Sequence, residues 1–203
     1  MPGSHSRKTK PLPTILTPEK LERQALHYLE RFATSTEGLR RVLRRKILLN
    51  QRFHPELDNA QAFLWIEDLI YRFSRSGLIS DESYAEGRVA ARRRRGDSAK
   101  LIRERLRSKG VPLPLIEAAL ADHAEDMGSD TIAELASAVN LARRRRLGPF
   151  RDPSVRMDYS RRDLSALARA GFSAKIARMV IEATDITALE NLIPHASSFK
   201  EAP

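Results

Sequence analysis

Apolar side chains recur at steps of three and four residues along most of this chain, which is the spacing of an amphipathic helix. The first such series runs from Leu21 to Phe32, and two more end at Ile47 and Phe73. Capping residues frame these series, since a Ser, Thr or Asp side chain accepts hydrogen bonds from the free N–H groups at a helix start and Gly adopts the left-handed conformation after its end. The pattern predicts an all-α protein.

The stretch 77–110 has the clearest helix boundaries. It predicts one helix that opens after Ser80 and a second that is capped by Asp97 or Ser98, with a break at Gly96 between them. A third helix follows at one of two nearby prolines, where a missing N–H costs nothing in the first turn of a helix. These three helices form the best-defined group in the chain.

The same signals predict six further helices, separated by a linker over 48–59 and a loop over 147–158. Their expected bounds are Thr17 to Phe32, Thr34 or Ser35 to Ile47, Ala60 to Ser76, Ser129 or Asp130 to Arg146, Arg161 to Ala170, and Ser173 to Leu192 with a bend near Asp185. The helices therefore fall into three successive groups of three.

A short sequence motif recurs at offsets of 63 and 62 residues. Its copies are Ser35-x3-Leu39-x3-Leu43-x2-Lys46, Ser98-x3-Ile102-x3-Leu106-x2-Lys109 and the one-residue-shorter Ser160-x3-Leu164-x2-Leu167. Because a repeat of this kind marks one supersecondary unit, we expect an elongated array of three tandem three-helix modules that resemble helix-turn-helix units. The expected modules are 17–78, 79–127 and 128–196, with a disordered basic arm at 1–16 and a frayed tail at 197–203.

The chain has 203 residues, no Cys and a formal net charge of +10. Without Cys, disulfides, thiolate nucleophiles and Cys-ligated zinc are excluded, and a reducing cytoplasm is the expected location. The segment 1–13 is basic and rich in Pro but lacks the apolar core of a secretory signal, so it is interpreted as a disordered arm or as an appended segment. No apolar run approaches the roughly 18 residues that span a bilayer. We expect a monomer with no membrane partner.

Basic and acidic residues alternate in blocks along the chain. Residues 88–109 hold ten basic and two acidic side chains, residues 110–135 hold six acidic and no basic ones, and residues 136–178 hold eleven basic and three acidic ones. The basic blocks fall on the first and second helices of the modules and the acidic ones on the third. This density of positive charge favours a polyanionic partner or an acidic protein surface.

Two runs of four consecutive arginines lie at the ends of predicted helices. The helix dipole favours one or two basic residues there, by about 0.3–1 kcal/mol each, but it does not account for four, so we favour binding to nucleic acid or a filament over simple solvation. For the arginines of 40–45 the two explanations stay balanced. Aromatic residues do not interleave with the clusters, which indicates contact with the phosphate backbone and no sequence preference. The candidate binding residues are Arg40, Arg41, Arg44, Arg45, Arg92, Arg93, Arg94, Arg95, Lys100, Arg103, Arg107, Arg143, Arg144, Arg145 and Arg146.

Catalytic and metal-binding signatures are lacking in the sequence. The five histidines are far apart, and no H-E-x-x-H spacing occurs. No Gly is followed by Lys and no G-x-G-x-x-G is present, which excludes the phosphate-binding loops of nucleotide-dependent enzymes. We therefore predict a protein that is not an enzyme and has no catalytic residues, metal or cofactor.

Two sequence motifs flank the Arg-rich end of the helix that opens after Ser80. They are Gly77-Leu78-Ile79-x-Asp81-x2-Tyr84-Ala85 and Ile102-x3-Leu106-x2-Lys109-Gly110-Val111. Together they resemble the central signature of the RecX family, the bacterial regulators of the RecA recombinase, and the resemblance extends from about Leu21 to Ile193. The tandem three-helix architecture fits the same family.

The resemblance implies binding to the RecA–single-stranded DNA filament, with inhibition of the recombinase, ATPase and co-protease activities of RecA in DNA repair and the SOS response. RecA and the backbone of single-stranded DNA are then the expected partners. Two alternatives come from the residues themselves. Three-helix units with a basic second helix also suit a sequence-specific helix-turn-helix regulator of duplex DNA, and a helical scaffold whose arginines serve solubility is the third reading.

Overall fold

A computed structural model describes residues 13–193 and is entirely helical apart from turns and loops over that range. The helices are α1 (Pro18–Leu29), α2 (Thr36–Gln51), α3 (Asn59–Arg75), α4 (Asp81–Arg94), α5 (Ala99–Ser108), α6 (Leu113–Asp126), α7 (Asp130–Arg145), α8 (Arg156–Arg169), α9 (Ala174–Ile181) and α10 (Ile186–Asn191), with a 3-10 turn at Gly148–Phe150. The all-α prediction is confirmed. The tail at 197–203 and most of the arm at 1–16 lie outside the described residues.

The described residues up to Ser80 form one compact unit, and those from Asp81 form a second. In the first unit, α1, α2 and α3 enclose a single apolar core. Its fully buried members come from the inward face of each helix and are Leu21, Ala25, Leu39, Leu43, Ile47, Ala62 and Ile66. These are positions of the three- and four-residue periodicity, so burial of one apolar stripe per helix organises this unit.

The first unit includes part of the segment that was predicted to be a disordered arm. Leu16, assigned to the disordered arm, is 4 % exposed and packs into the core of the unit. Its backbone N–H donates to Asn50 Oδ1 at 2.9 Å, and Asn50 Nδ2 donates to the carbonyl oxygen of Thr14 at 3.1 Å. The segment before α1 is therefore fixed to the end of α2 by a side chain that no local sequence pattern singles out.

The second unit contains two apolar cores. One lies among α4, α5 and α6 and includes Val89, Ile102 and Ile116; the other lies among α7, α8 and α9 and includes Leu167 and Val180. The two cores are joined because α7 packs against both α4 and α6. With the core of the first unit, this makes three successive three-helix groups, followed by α10. The module boundaries and the elongated arrangement stay predictions.

Several helix boundaries differ from the sequence-based expectation. Helix α2 continues to Gln51, so the linker before α3 is shorter than 48–59, and α8 begins at Arg156 inside the predicted loop. Ser160 consequently lies within α8, so the third copy of the repeat does not start at a helix cap. The predicted bend near Asp185 is a full break, since the Asp185 side chain accepts a hydrogen bond from Ala188 N and caps α10.

The turn between α4 and α5 requires glycine. Gly96 has φ +82°, and a Cβ added to it would lie 2.6 Å from the backbone nitrogen of Leu141 in α7. Ser98 then caps α5, where its Oγ accepts from Leu101 N and donates to the carbonyl oxygen of Ala170 at 2.7 Å. The turn thus fixes the first core of this unit to the second through close backbone approach and one buried hydroxyl.

Replacing Gly96 by alanine is expected to destabilise the protein by roughly 2–4 kcal/mol, because the left-handed conformation is strained for Ala and its methyl group would overlap the backbone of α7. Gly87→Ala is the matched control: Gly87 lies in α4 with no atom near its missing Cβ, so alanine there should stabilise the helix by about 1 kcal/mol. Thermal unfolding of both variants checks this. Equal midpoints would contradict the close approach.

Candidate functional site

The four arginines at the end of α4 have different environments because successive helical residues point about 100° apart. Arg94 and Arg95 are exposed. Arg92 is half-buried and donates from Nη1 to Asp97 Oδ2 at 3.3 Å. Arg93 is 3 % exposed. A run that is uniform in sequence is therefore divided by the fold into exposed, paired and buried positions.

Arg93 makes a buried ion pair across the second unit. Its Nη1 donates to Glu134 Oε1 in α7 at 2.6 Å and approaches Ser137 Oγ at 3.4 Å. Glu134 Oε1 also accepts from the backbone N–H of Ala99, at 2.7 Å, in the first turn of α5. The carboxylate thus joins α4, α5 and α7. Arg93 was predicted to contact the partner, but its guanidinium lies in the interior of the second unit, where a partner does not reach it.

The arginines at the end of α7 are mostly free. Arg143 donates to Glu190 Oε1 at 3.0 Å and lies over the ring of Phe150. Arg144, Arg145 and Arg146 are exposed. Arg146 has φ +54° and ψ +54°, so it occupies the left-handed position after the helix that usually holds glycine. Three guanidiniums therefore project from one helix end.

The two arginine clusters occupy neighbouring helix ends in the second unit. The α4–α5 turn contacts the backbone of α7 at Leu141, and Arg144 lies three residues further along the helix, which is about 4.5 Å at 1.5 Å per residue. Asn140 Nδ2 also approaches the carbonyl oxygen of Arg93, at 3.5 Å. Arg94 and Arg95 are thus positioned beside the end of α7 from which Arg144 and Arg145 project.

In the first unit, the arginines of α2 are largely engaged with carboxylates. Arg40 donates from Nη1 to Glu37 at 2.7 Å and from Nε to Glu67 of α3 at 2.9 Å. Arg41 donates to Glu37 at 3.0 Å, and Arg44 lies 3.8 Å from Glu67. The Arg40 guanidinium holds the pKa of Glu37 below its usual value of 4.5. Arg45 is exposed.

Helix α5 repeats the arrangement of α2. Arg103 donates from Nε and Nη2 to the two oxygens of Glu117 in α6, at 2.7 and 2.8 Å, and this contact lowers the pKa of Glu117. Arg103 follows Arg40 by 63 residues, the offset of the sequence repeat, so the second and third helices of both groups are joined by equivalent ion pairs. Lys100 and Arg107 are exposed on the same helix.

Eight of the fifteen predicted residues are exposed and make no ion pair within residues 13–193. They are Arg45, Arg94, Arg95, Lys100, Arg107, Arg144, Arg145 and Arg146. Arg40 and Arg103 hold helices together, and Arg93 is buried. Sequence reasoning missed Glu134, because its partner is 41 residues away and nothing in the local pattern marks it.

No group of three His, Cys, Asp or Glu side chains that could hold a metal ion occurs among the described residues. None of the helices described is both long and apolar enough to cross a bilayer.

Comparison with known proteins agrees with this architecture. Residues 80–120, which include α4, α5 and the arginines at 92–95, match the family model of the second three-helix domain of RecX. Regulatory protein RecX of Myxococcus xanthus (strain DK1622) is 39 % identical over 171 residues, covering 84 % of this chain and 88 % of that protein. The chain belongs to the RecX family.

Other RecX relatives match shorter or more divergent stretches. Regulatory protein RecX of Corynebacterium efficiens is 36 % identical over 113 residues, covering 54 % of this chain and 51 % of that protein. The protein of the same name from Mycolicibacterium vanbaalenii is 31 % identical over 157 residues, covering 72 % of this chain and 82 % of that protein. No solved structure matches the chain. The RecX relationship rests on sequence, and it assigns the chain to a family of regulatory proteins.

Glu134→Ala is expected to lower the free energy of unfolding by about 3–5 kcal/mol, because it leaves the buried guanidinium of Arg93 without its counter-charge. Glu190→Ala removes the more exposed pair with Arg143 and should cost under about 1 kcal/mol. Chemical denaturation of the two variants measures the difference. Similar losses for both would show that the Arg93 pair is not the stronger constraint.

Arg146→Gly is expected to stabilise the protein by about 1 kcal/mol, since glycine adopts the left-handed conformation without the steric cost that an L side chain pays. Arg145→Gly removes the same charge one residue earlier, inside α7, and should destabilise by about 1 kcal/mol. Thermal unfolding at high salt measures the two changes in stability, because salt screens the effect of the lost arginine charge. The midpoint should rise for one variant and fall for the other. A lower midpoint for Arg146→Gly would contradict the left-handed cap.

Proposed function

We propose that this RecX family member binds the RecA–single-stranded DNA filament and inhibits the recombinase, ATPase and co-protease activities of RecA in DNA repair and the SOS response. It acts as a monomer in the bacterial cytoplasm. Family membership supports the regulatory role. The observation that carries the proposal is the pair of exposed arginine clusters, Arg94 with Arg95 and Arg144 with Arg145, on neighbouring helix ends of one unit.

These guanidiniums suit a phosphate backbone. Each presents a planar fork of donors that matches two phosphate oxygens, and none of the four is neutralised by a carboxylate within residues 13–193. The last turn of a helix carries partial negative charge, so the arginines there are both stabilised by the helix and available to an anion. Their spacing on two adjoining helix ends gives several contacts along one strand rather than recognition of a single base.

Inhibition then follows without catalysis by this chain. A protein that holds the DNA backbone and the recombinase together prevents the subunit rearrangements that filament growth and ATP turnover need. Arg40 and Arg103 serve this role indirectly, since their ion pairs with Glu67 and Glu117 keep the second and third helices of two groups in register. Arg45, Lys100, Arg107 and Arg146 complete the proposed binding set, and Arg93 is left out of it.

The proposal predicts that replacing Arg94, Arg95, Arg144 and Arg145 together by alanine weakens binding to RecA filaments on oligo-dT by tenfold or more. Loss of four phosphate contacts should also reduce the slope of log K against log salt by about 3, at roughly 0.7 per phosphate of a single strand. Inhibition of DNA-dependent ATP hydrolysis by RecA should fall in parallel. Fluorescence anisotropy and a coupled ATPase assay measure these effects.

The matched control removes the same charge elsewhere in the unit, by replacing Arg161, Arg162, Arg169 and Arg178, which are all exposed, with alanine. It should retain filament binding and inhibition. Undiminished inhibition by the first variant would refute the assignment of these residues. Base-selective footprints on duplex DNA, with about 1–3 kcal/mol lost per mismatched base pair, would instead indicate the helix-turn-helix regulator.

A further inference from the structure

The C-terminal half of α2 presents apolar and basic side chains together on one exposed face. Six of them line a shallow depression, which we name the α2 surface: Arg41, Arg44, Arg45, Leu48, Leu49 and Arg52. Leu48 is 49 % exposed and Leu49 is 44 % exposed. Phe53 follows directly after this surface and is 53 % exposed.

The exposed leucines are not required by the fold of the first unit. Helix α2 already buries a complete apolar stripe, with Leu39, Leu43 and Ile47 fully enclosed. Leu48 and Leu49 lie outside that stripe, at positions where a surface helix normally carries polar side chains. Adjacent exposed leucines bordered by charged residues are typical of a surface that binds another protein.

The charge around these leucines is strongly positive. Between residues 38 and 55 there are six basic residues and no acidic one. The carboxylates of Glu37 and Glu67 are already engaged by Arg40. Arg45 and Arg52 make no ion pair within the described part of the chain. A ligand for this surface must therefore bring negative charge as well as apolar side chains.

A nucleic acid strand meets only half of that requirement. Phosphates would pair with the arginines but gain nothing from two aliphatic side chains, and bases stack on flat aromatic rings rather than on leucines. By contrast, between residues 79 and 112 and between 114 and 154, where the two arginine clusters lie, no large apolar side chain is exposed. The surroundings of the two arginine clusters therefore differ chemically from the α2 surface, and the second unit exposes its large apolar side chains elsewhere, at Leu113, Met157 and Leu192 among others.

We propose that the α2 surface docks an acidic, amphipathic segment of a protein, with apolar side chains of the segment packed on Leu48 and Leu49 and its carboxylates paired with Arg45 and Arg52. The inference rests on the proposed function, since the segment belongs to the recombinase subunits of the filament. Apolar anchors within a charged rim give both affinity and orientation. The first unit then contacts the protein of the filament, while the second unit contacts its DNA.

The test compares two double variants of the full chain. Leu48→Ser with Leu49→Ser removes the apolar anchors, and Leu26→Ser with Leu64→Ser removes two exposed leucines on α1 and α3 as a control. Binding is measured to RecA filaments on oligo-dT and, separately, to the oligo-dT alone. All four leucines are exposed, so the variants should keep the wild-type thermal midpoint.

The first variant is expected to bind filaments about tenfold or more weakly while its affinity for oligo-dT stays unchanged, and the control should match wild type. Arg45→Glu with Arg52→Glu should also weaken filament binding. Unchanged filament affinity, an equal loss on oligo-dT, or an equal loss in the control would each overturn the docking surface while leaving the proposed function intact. If wild-type protein bound no filament, the proposed function and this inference would both fail.

Discussion

The buried contact between Arg93 and Glu134 is the interaction on which the second unit depends. A guanidinium that has been removed from water must keep its carboxylate partner, because separating the two leaves an uncompensated buried charge. Since Glu134 also accepts from Ala99 N, the end of α4, the start of α5 and the first half of α7 are held together. With α4 unable to rotate about its axis, Arg94 and Arg95 are held facing outward.

The alternation of basic and acidic blocks along the chain also has a structural role, because it supplies ion pairs between helices. Arg40 with Glu67 and Arg103 with Glu117 join a basic second helix to an acidic third helix in two groups. Part of the alternation of charge along the chain is therefore satisfied internally. Five of the eight predicted residues that make no ion pair within residues 13–193 lie at the ends of α4 and α7: Arg94, Arg95, Arg144, Arg145 and Arg146.

Most helix starts could be predicted because capping depends on residues within one turn. Ser35, Ser98 and Ser129 each accept a hydrogen bond from the N–H three residues further on, as their sequence contexts indicate. The predicted start of α8 was wrong. Val155 precedes this helix and makes no side-chain cap, and the prolines nearby indicated a longer loop. The RecX family could also be recognised from the sequence, because its central signature is short and continuous along the chain.

The sequence by itself determined the helical content, most of the helix boundaries, the family and the excess of positive charge. Only the tertiary structure decided which arginines are available to a partner. The four-residue spacing of Ala85, Val89 and Arg93 places position 93 on the buried face of α4, but a run of four arginines gives no sign that one guanidinium finds a partner there. The carboxylate that allows Arg93 to be buried is Glu134 of α7, which lies about forty residues further along the chain and approaches α4 only in the folded protein.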